Sequence, residues 1–157
     1  MLRILVCLFL LLAGGTLLAQ PQNTRTAEIR ELFNAEQYAG ALTLINRHWR
    51  QLRQDDEARF LRALCHYQLN DLDAARTELH ALVDAERNPY AEAWLYLGRV
   101  YHEQHQFAEA ANYYKLYLQT IRQDHPHRRM VYDMIRRCAN GLERRFQSAL
   151  GVVENLG

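Results

Sequence analysis

No glycine-rich phosphate loop, no nucleophile elbow and no CxxC pair occurs in the 157 residues. The common signatures of nucleotide hydrolysis, α/β-hydrolase chemistry and dithiol exchange are therefore missing. An excess of one charge is missing too. Lys and Arg number 19 against 18 Asp and Glu, and losing Arg3 with a cleaved leader would balance them. That balance gives no electrostatic case for binding nucleic acid. Lysine is nearly absent, Lys115 being the single example. Metal-ligand spacing is also lacking. In "HEQH", His102 and His105 are three apart instead of four and a turn follows, while His125 and His127 of "HPH" read as a helix start. The paired arginines 128–129, 136–137 and 144–145 recur at eight-residue steps. Each such step turns a helix by about 80°, so the pairs spiral and read as a solvated face. None of this supports an enzyme, and no cofactor or metal is implied.

What is present begins with a leader. "MLRILVCLFLLLAGGTLLAQ" carries one charge at Arg3, an apolar run from Ile4 to Leu12, then Ala13-Gly14-Gly15 and a cleavage site ending at Ala19. Leu17 makes that site imperfect, but the order of features is that of a secretory signal peptide, residues 1–19. An uncleaved anchor is disfavoured because Gly14, Gly15 and Thr16 interrupt a run already short for a membrane span. A lipoprotein reading fails because Cys7 follows Val6 and lies too early. The expectation is export, to the periplasm or the periplasmic face of an outer membrane. Residues 20–157 are one domain by length. Their two cysteines, Cys65 and Cys138, could pair in an oxidising compartment. Each also falls on the apolar side of a predicted helix, where a free thiol behaves as a small hydrophobe.

Helical periodicity organises the rest. Trp94, Leu97, Val100 and Tyr101 share one helical face, as do Phe107, Ala110, Ala111, Tyr114, Leu118 and Ile121. The polar hinge around His105-Gln106 folds the two helices into an antiparallel hairpin. The pattern recurs. Phe60, Ala63, Leu64 and Tyr67 repeat the spacing of Trp94, Leu97, Gly98 and Tyr101 at a distance of 34 residues, and Ala41, Ala75 and Ala110 follow one another at 34 and 35. In the first unit the leading helix, Thr26 to Ala35, is short and lacks the Trp, although "EQYAGALTLI" keeps the hinge and the small residues. Asn88-Pro89 supplies a helix start for the third unit. Small Gly98 and Ala110 mark where the helices of a hairpin cross, while Trp94, Tyr101 and Tyr114 fill the seams.

This pattern resembles the tetratricopeptide repeat, whose Trp-x-x-Leu-Gly-x-x-Tyr core stands at Trp94, Leu97, Gly98 and Tyr101, with Ala110 and Tyr114 following. The resemblance implies an all-α solenoid with three repeats over residues 24–122. It departs at Arg122, where a proline is common. A capping helix is expected over 123–141, started by Asp124 or His125 with Pro126 and stopped by Asn140-Gly141. Residues 142–157 lose helical regularity, and Val152-Val153 favours an extended, mobile tail.

The resemblance also implies function: a non-enzymatic scaffold that binds a protein or peptide segment in the groove of the solenoid. By that resemblance Leu61, Arg62, Cys65 and Gln68, then Leu95, Tyr96, Arg99 and His102, would face the groove. Arg30 and Arg62 stand where the carboxylate-gripping branch of the family has asparagine, which puts such a clamp in doubt. An acidic or C-terminal ligand meeting Arg62 and Arg99 stays open. A second resemblance rests on "DMIRRCANG" and "VVENLG", which look like the junction in Gram-negative envelope proteins joining such repeats to a β-propeller and an OmpA-type domain. It implies a structural, peptidoglycan-linked or type IX secretion component, with outer-membrane association through downstream domains and VENLG opening the propeller.

Overall fold

The computed structural model describes residues 21–85 and 90–154, with side chains over 24–85 and 90–147. The leader, the Asn88-Pro89 start and residues 155–157 lie outside the described residues. The described residues form eight helices and no strand: α1 (Pro21–Asn34), α2 (Tyr38–Arg47), α3 (Trp49–Leu52), α4 (Asp56–Gln68), α5 (Leu72–Val83), α6 (Glu92–Glu103), α7 (Phe107–Thr120) and α8 (His127–Glu154). None of them is long and apolar enough to cross a membrane.

Three hairpins, α1/α2, α4/α5 and α6/α7, share one turn geometry. At each turn a residue takes a left-handed backbone: Glu36, Asn70 and His105, with φ of 59°, 61° and 58°. The next amide reaches back five residues, Gln37 to Leu32, Asp71 to His66 and Gln106 to Tyr101, at 2.8–2.9 Å. The left-handed residue's own amide bonds three residues back, to Phe33, Tyr67 and His102. This is the Schellman closure that satisfies the last carbonyls of a helix. Asp55 and Asp71 then start α4 and α5 by accepting bonds from the first-turn amides. The recurring turn sets the recurring hairpin. It places Ala41, Ala75 and Ala110, all fully buried, at equivalent crossings.

The core is a row of three clusters. The first joins α1 to α4 through Ile29, Ala41, Ile45, Leu52, Ala58 and Cys65. The second joins α4, α5 and α6 through Ala63, Leu79, Leu82, Leu97 and Val100. The third joins α6, α7 and α8 through Leu95, Tyr114, Tyr117, Val131 and Cys138. Aromatic rings tie the hairpins together: Tyr113 stacks between Trp94 and Tyr101, and His80 bonds the Tyr101 hydroxyl at 3.0 Å. Cys65 and Cys138 are free thiols buried in different clusters.

Leu52, inside α3, is fully buried and completes the first cluster, so the segment after α2 is a structural piece that the hairpin pattern does not foretell. The expectation corrected here concerns Gly141 and the residues after it. Gly141 does not stop the last helix: α8 runs through it unbroken to Glu154, and Val152-Val153 are helical instead of extended. One interior glycine costs a helix only about 1 kcal/mol, and no proline follows. Gly141 instead permits contact. A Cβ there would lie 2.7 Å from the Phe107 ring, just as one at Gly98 would lie 2.3 Å from Tyr114. The apolar pattern beyond Gly141 weakens because Leu142 and Phe146 are exposed there, although Arg145 still holds α8 to the α6–α7 turn through the His105 carbonyl.

Candidate functional site

Helices α4, α6 and α8, with Tyr114 of α7, line a cleft on one side of the row. Tyr67, Arg99, His102, Glu103, Tyr114, Met134 and Arg137 line a central cleft of about 280 Å³. A second cleft of about 400 Å³ adjoins it through Met134 and Arg137 and extends to Arg129, Met130 and Asp133. A third, of about 270 Å³, adjoins it through His102 and Arg137 and extends to Phe107, Asn140 and Arg144. Arg137 belongs to all three. Together they form a groove running along α8.

The central cleft is charged on one side. Tyr67 donates its hydroxyl to Glu103, bridging α4 and α6. The Arg99 guanidinium lies over the Tyr96 ring, 5.1 Å from its centroid, and its Nε is buried with no hydrogen-bond partner. His102 sits between Phe107, whose ring it meets edge-on at 5.4 Å, and Cys138, whose Sγ is 3.3 Å from Nδ1. Burial, and then the nearby Arg137 charge, lowers the imidazole pKa, while burial raises those of the Cys138 thiol and the Tyr114 phenol. The Tyr67 phenol is raised by burial and by its bond to Glu103. A catalytic cysteine needs a lowered pKa and access. Cys138 is fully buried with a raised one, so its contact with His102 is a packing hydrogen bond.

The residues expected in the groove divide. Arg99 and His102 line the central cleft, and Tyr96 lies beneath Arg99, packed against Phe60 and Tyr67. Gln68 is exposed at the end of α4, outside the clefts described here. Leu61, Cys65 and Leu95 are core residues and not groove residues. Leu61 and Cys65 are covered where α1 and α2 pack beside α4, and Leu95 is covered by the third cluster, to which α7 and α8 contribute. Arg62 does not join Arg99. Its guanidinium pairs with Glu78 at 2.6 Å and stacks on Trp49 at 4.2 Å. Arg30 is held just as firmly, by a forked pair with Glu57. Neither is therefore free for a ligand carboxylate.

The arginine pairs of α8 behave differently from a uniformly solvated spiral. One member of each pair is engaged: Arg128 donates to the carbonyls of Leu118 and Ile121, Arg145 donates to the His105 carbonyl at 2.8 Å, and Arg136 pairs with Asp133 one turn back within α8. The other members, Arg129, Arg137 and Arg144, line the groove. Sequence reasoning did not find them because the spiral argument treats each pair as a unit. The i, i+8, i+15 spacing of Arg129, Arg137 and Arg144 was the available signal.

Two family models, both described as tetratricopeptide repeat, match the chain over residues 67–126 and 32–93, together more than half its length. No curated protein matches it. The repeated turns, the crossings at Ala41, Ala75 and Ala110, and these matches converge, and the chain belongs to the tetratricopeptide repeat family.

Proposed function

We infer that the chain is a non-catalytic scaffold, exported by its leader, that holds a segment of a partner protein in the groove walled by α4, α6 and α8. Membership of a repeat family that serves protein interaction supports the general role. The observation that carries the groove assignment is Arg99. A buried guanidinium nitrogen without an acceptor is costly; Arg99 Nε shares this state with Arg62 Nε, but Arg99 is the one whose side chain lines the central cleft. Peptides enriched from an unbiased displayed library on the folded chain provide the test. Their titration should shift the backbone amides of Arg99, His102 and Arg137 most. Shifts confined to α2 and α5 would place the binding surface away from the groove and contradict the assignment. Export is tested separately, by fusing the chain to a reporter that is active only after secretion; loss of signal on deleting residues 1–19 is expected.

A further inference from the structure

We propose that the partner segment is acidic and lies along α8, with carboxylates placed three or four residues apart so that each meets one of Arg129, Arg137 and Arg144. This rests on the groove reading above and specifies the ligand it takes.

The three arginines line consecutive clefts, and among the described residues none of them has a hydrogen bond or ion pair. Arg99 adds a fourth guanidinium in the central cleft, opposite Arg137 on α8. Two carboxylates share these clefts: Asp133, paired with Arg136 at 2.7 Å, and Glu103, which keeps its charge while accepting from Tyr67. Four arginines against these two leave the lining net positive although the whole chain is nearly neutral. Guanidinium forks match carboxylates in shape as well as charge, and a partly desolvated cleft strengthens the pairing.

Spacing follows from helix geometry. At about 1.5 Å per residue, Arg129 and Arg137 are about 12 Å apart along the axis and Arg137 and Arg144 about 10 Å. An extended segment advances about 3.3 Å per residue, so its carboxylates must recur at about every third or fourth position to meet them in turn. The carboxylate at Arg137 also reaches the cleft of Arg99. The apolar floor, Met130 and Met134, accommodates small or aliphatic residues between the acids.

The test uses the folded full chain and fluorescein-labelled 16-residue Ser/Gly peptides with glutamate at every fourth position, compared with the glutamine counterpart and an oligonucleotide of equal charge. The spaced-glutamate peptide should bind and weaken as salt rises. Arg137→Glu should weaken it at least tenfold and Arg129→Glu several-fold, while Arg53→Glu, the same charge change at an exposed arginine outside the three clefts, should change it less than twofold. Circular dichroism checks that each variant folds. Equal loss with Arg53→Glu would reduce the effect to general charge and overturn the proposal, as would equal binding of the oligonucleotide. Equal binding of the glutamine peptide with loss in Arg137→Glu would overturn the acidic specification and leave the groove reading standing. Binding of neither peptide would overturn the specification, leaving the groove reading to the library titration.

Discussion

Two glycines flank α7, and they do the same thing in different settings. Gly98 of α6 lets the Tyr114 ring lie against the helix backbone, and Gly141 of α8 does so for Phe107. Tyr114 is almost fully buried, whereas Phe107 is half-buried at the rim of the groove beside His102. The first crossing is part of the hairpin repeat. The second docks a helix that is not itself followed by a partner helix among the described residues. A glycine therefore marks a close helix contact wherever an aromatic faces it, whether or not it stands in a repeat. Reading Gly141 as a stop ignored the ring that it faces.

Substitution separates the two crossings by size. Gly98→Leu should be the most damaging change, about 3 kcal/mol, because the enclosed Tyr114 ring cannot retreat without disturbing the third cluster. Denaturant unfolding measures it; a loss below about 1 kcal/mol would mean that the α6–α7 contact is looser than described. Gly141→Leu should cost less, about 1 kcal/mol, since Phe107 can swing toward solvent and the helix gains propensity. If the crossing is the cause, Phe107→Ala should make the Gly141 change neutral or favourable, and a double-mutant cycle reads that coupling.

The turn into α7 gives a smaller effect of opposite sign. His105 adopts a left-handed backbone that costs a side-chain-bearing residue about 1–2 kcal/mol. His105→Gly should relieve most of it and stabilise by about 0.5–1 kcal/mol, net of the glycine's greater entropy in the unfolded chain. Asn70→Gly should gain less, because asparagine tolerates this conformation better. Equal gains would remove the strain argument.

Acidification should act mainly at the Gly141 side. Burial and Arg137 lower the His102 pKa in the fold, so the unfolded chain takes up the proton first as pH falls. The stability linked to the neutral imidazole is present above its unfolded pKa of about 6.5 and declines as pH falls through that value toward the lower folded one. His102→Gln should flatten this part of the stability–pH profile. An unchanged profile in His102→Gln would show that the imidazole is not held neutral by its surroundings.

The hairpins were legible because their determinants are local: a polar hinge and small residues at fixed spacing lie within a few residues of what they control. Ala41, Ala75 and Ala110 were recognised this way. The groove was less legible because its walls come from helices far apart in sequence. Leu61 and Leu95 occupy groove positions in the repeat pattern, yet neighbouring helices cover them. Arg62 has the right charge, but Glu78 and Trp49 take it. Arg137 lies within the expected capping helix, but its place in the groove depends on α4 and α6, which are far from it in sequence. No property of the pairs at 136–137 by themselves distinguishes the member bonded to Asp133 from the one lining three clefts.

The central claim is that α8 is one continuous helix, docked through Gly141 onto Phe107, and so able to wall the groove on both sides of Arg137. Hydrogen exchange of the amides from Cys138 to Arg145 tests it most directly. The account predicts protection that continues across Gly141 with no break and falls only toward the far end of α8, and loss of protection from Gly141 onward in Gly141→Leu. Protection that ends abruptly at Asn140 in the unaltered chain would contradict it, and Arg144 could then no longer belong to a fixed groove wall.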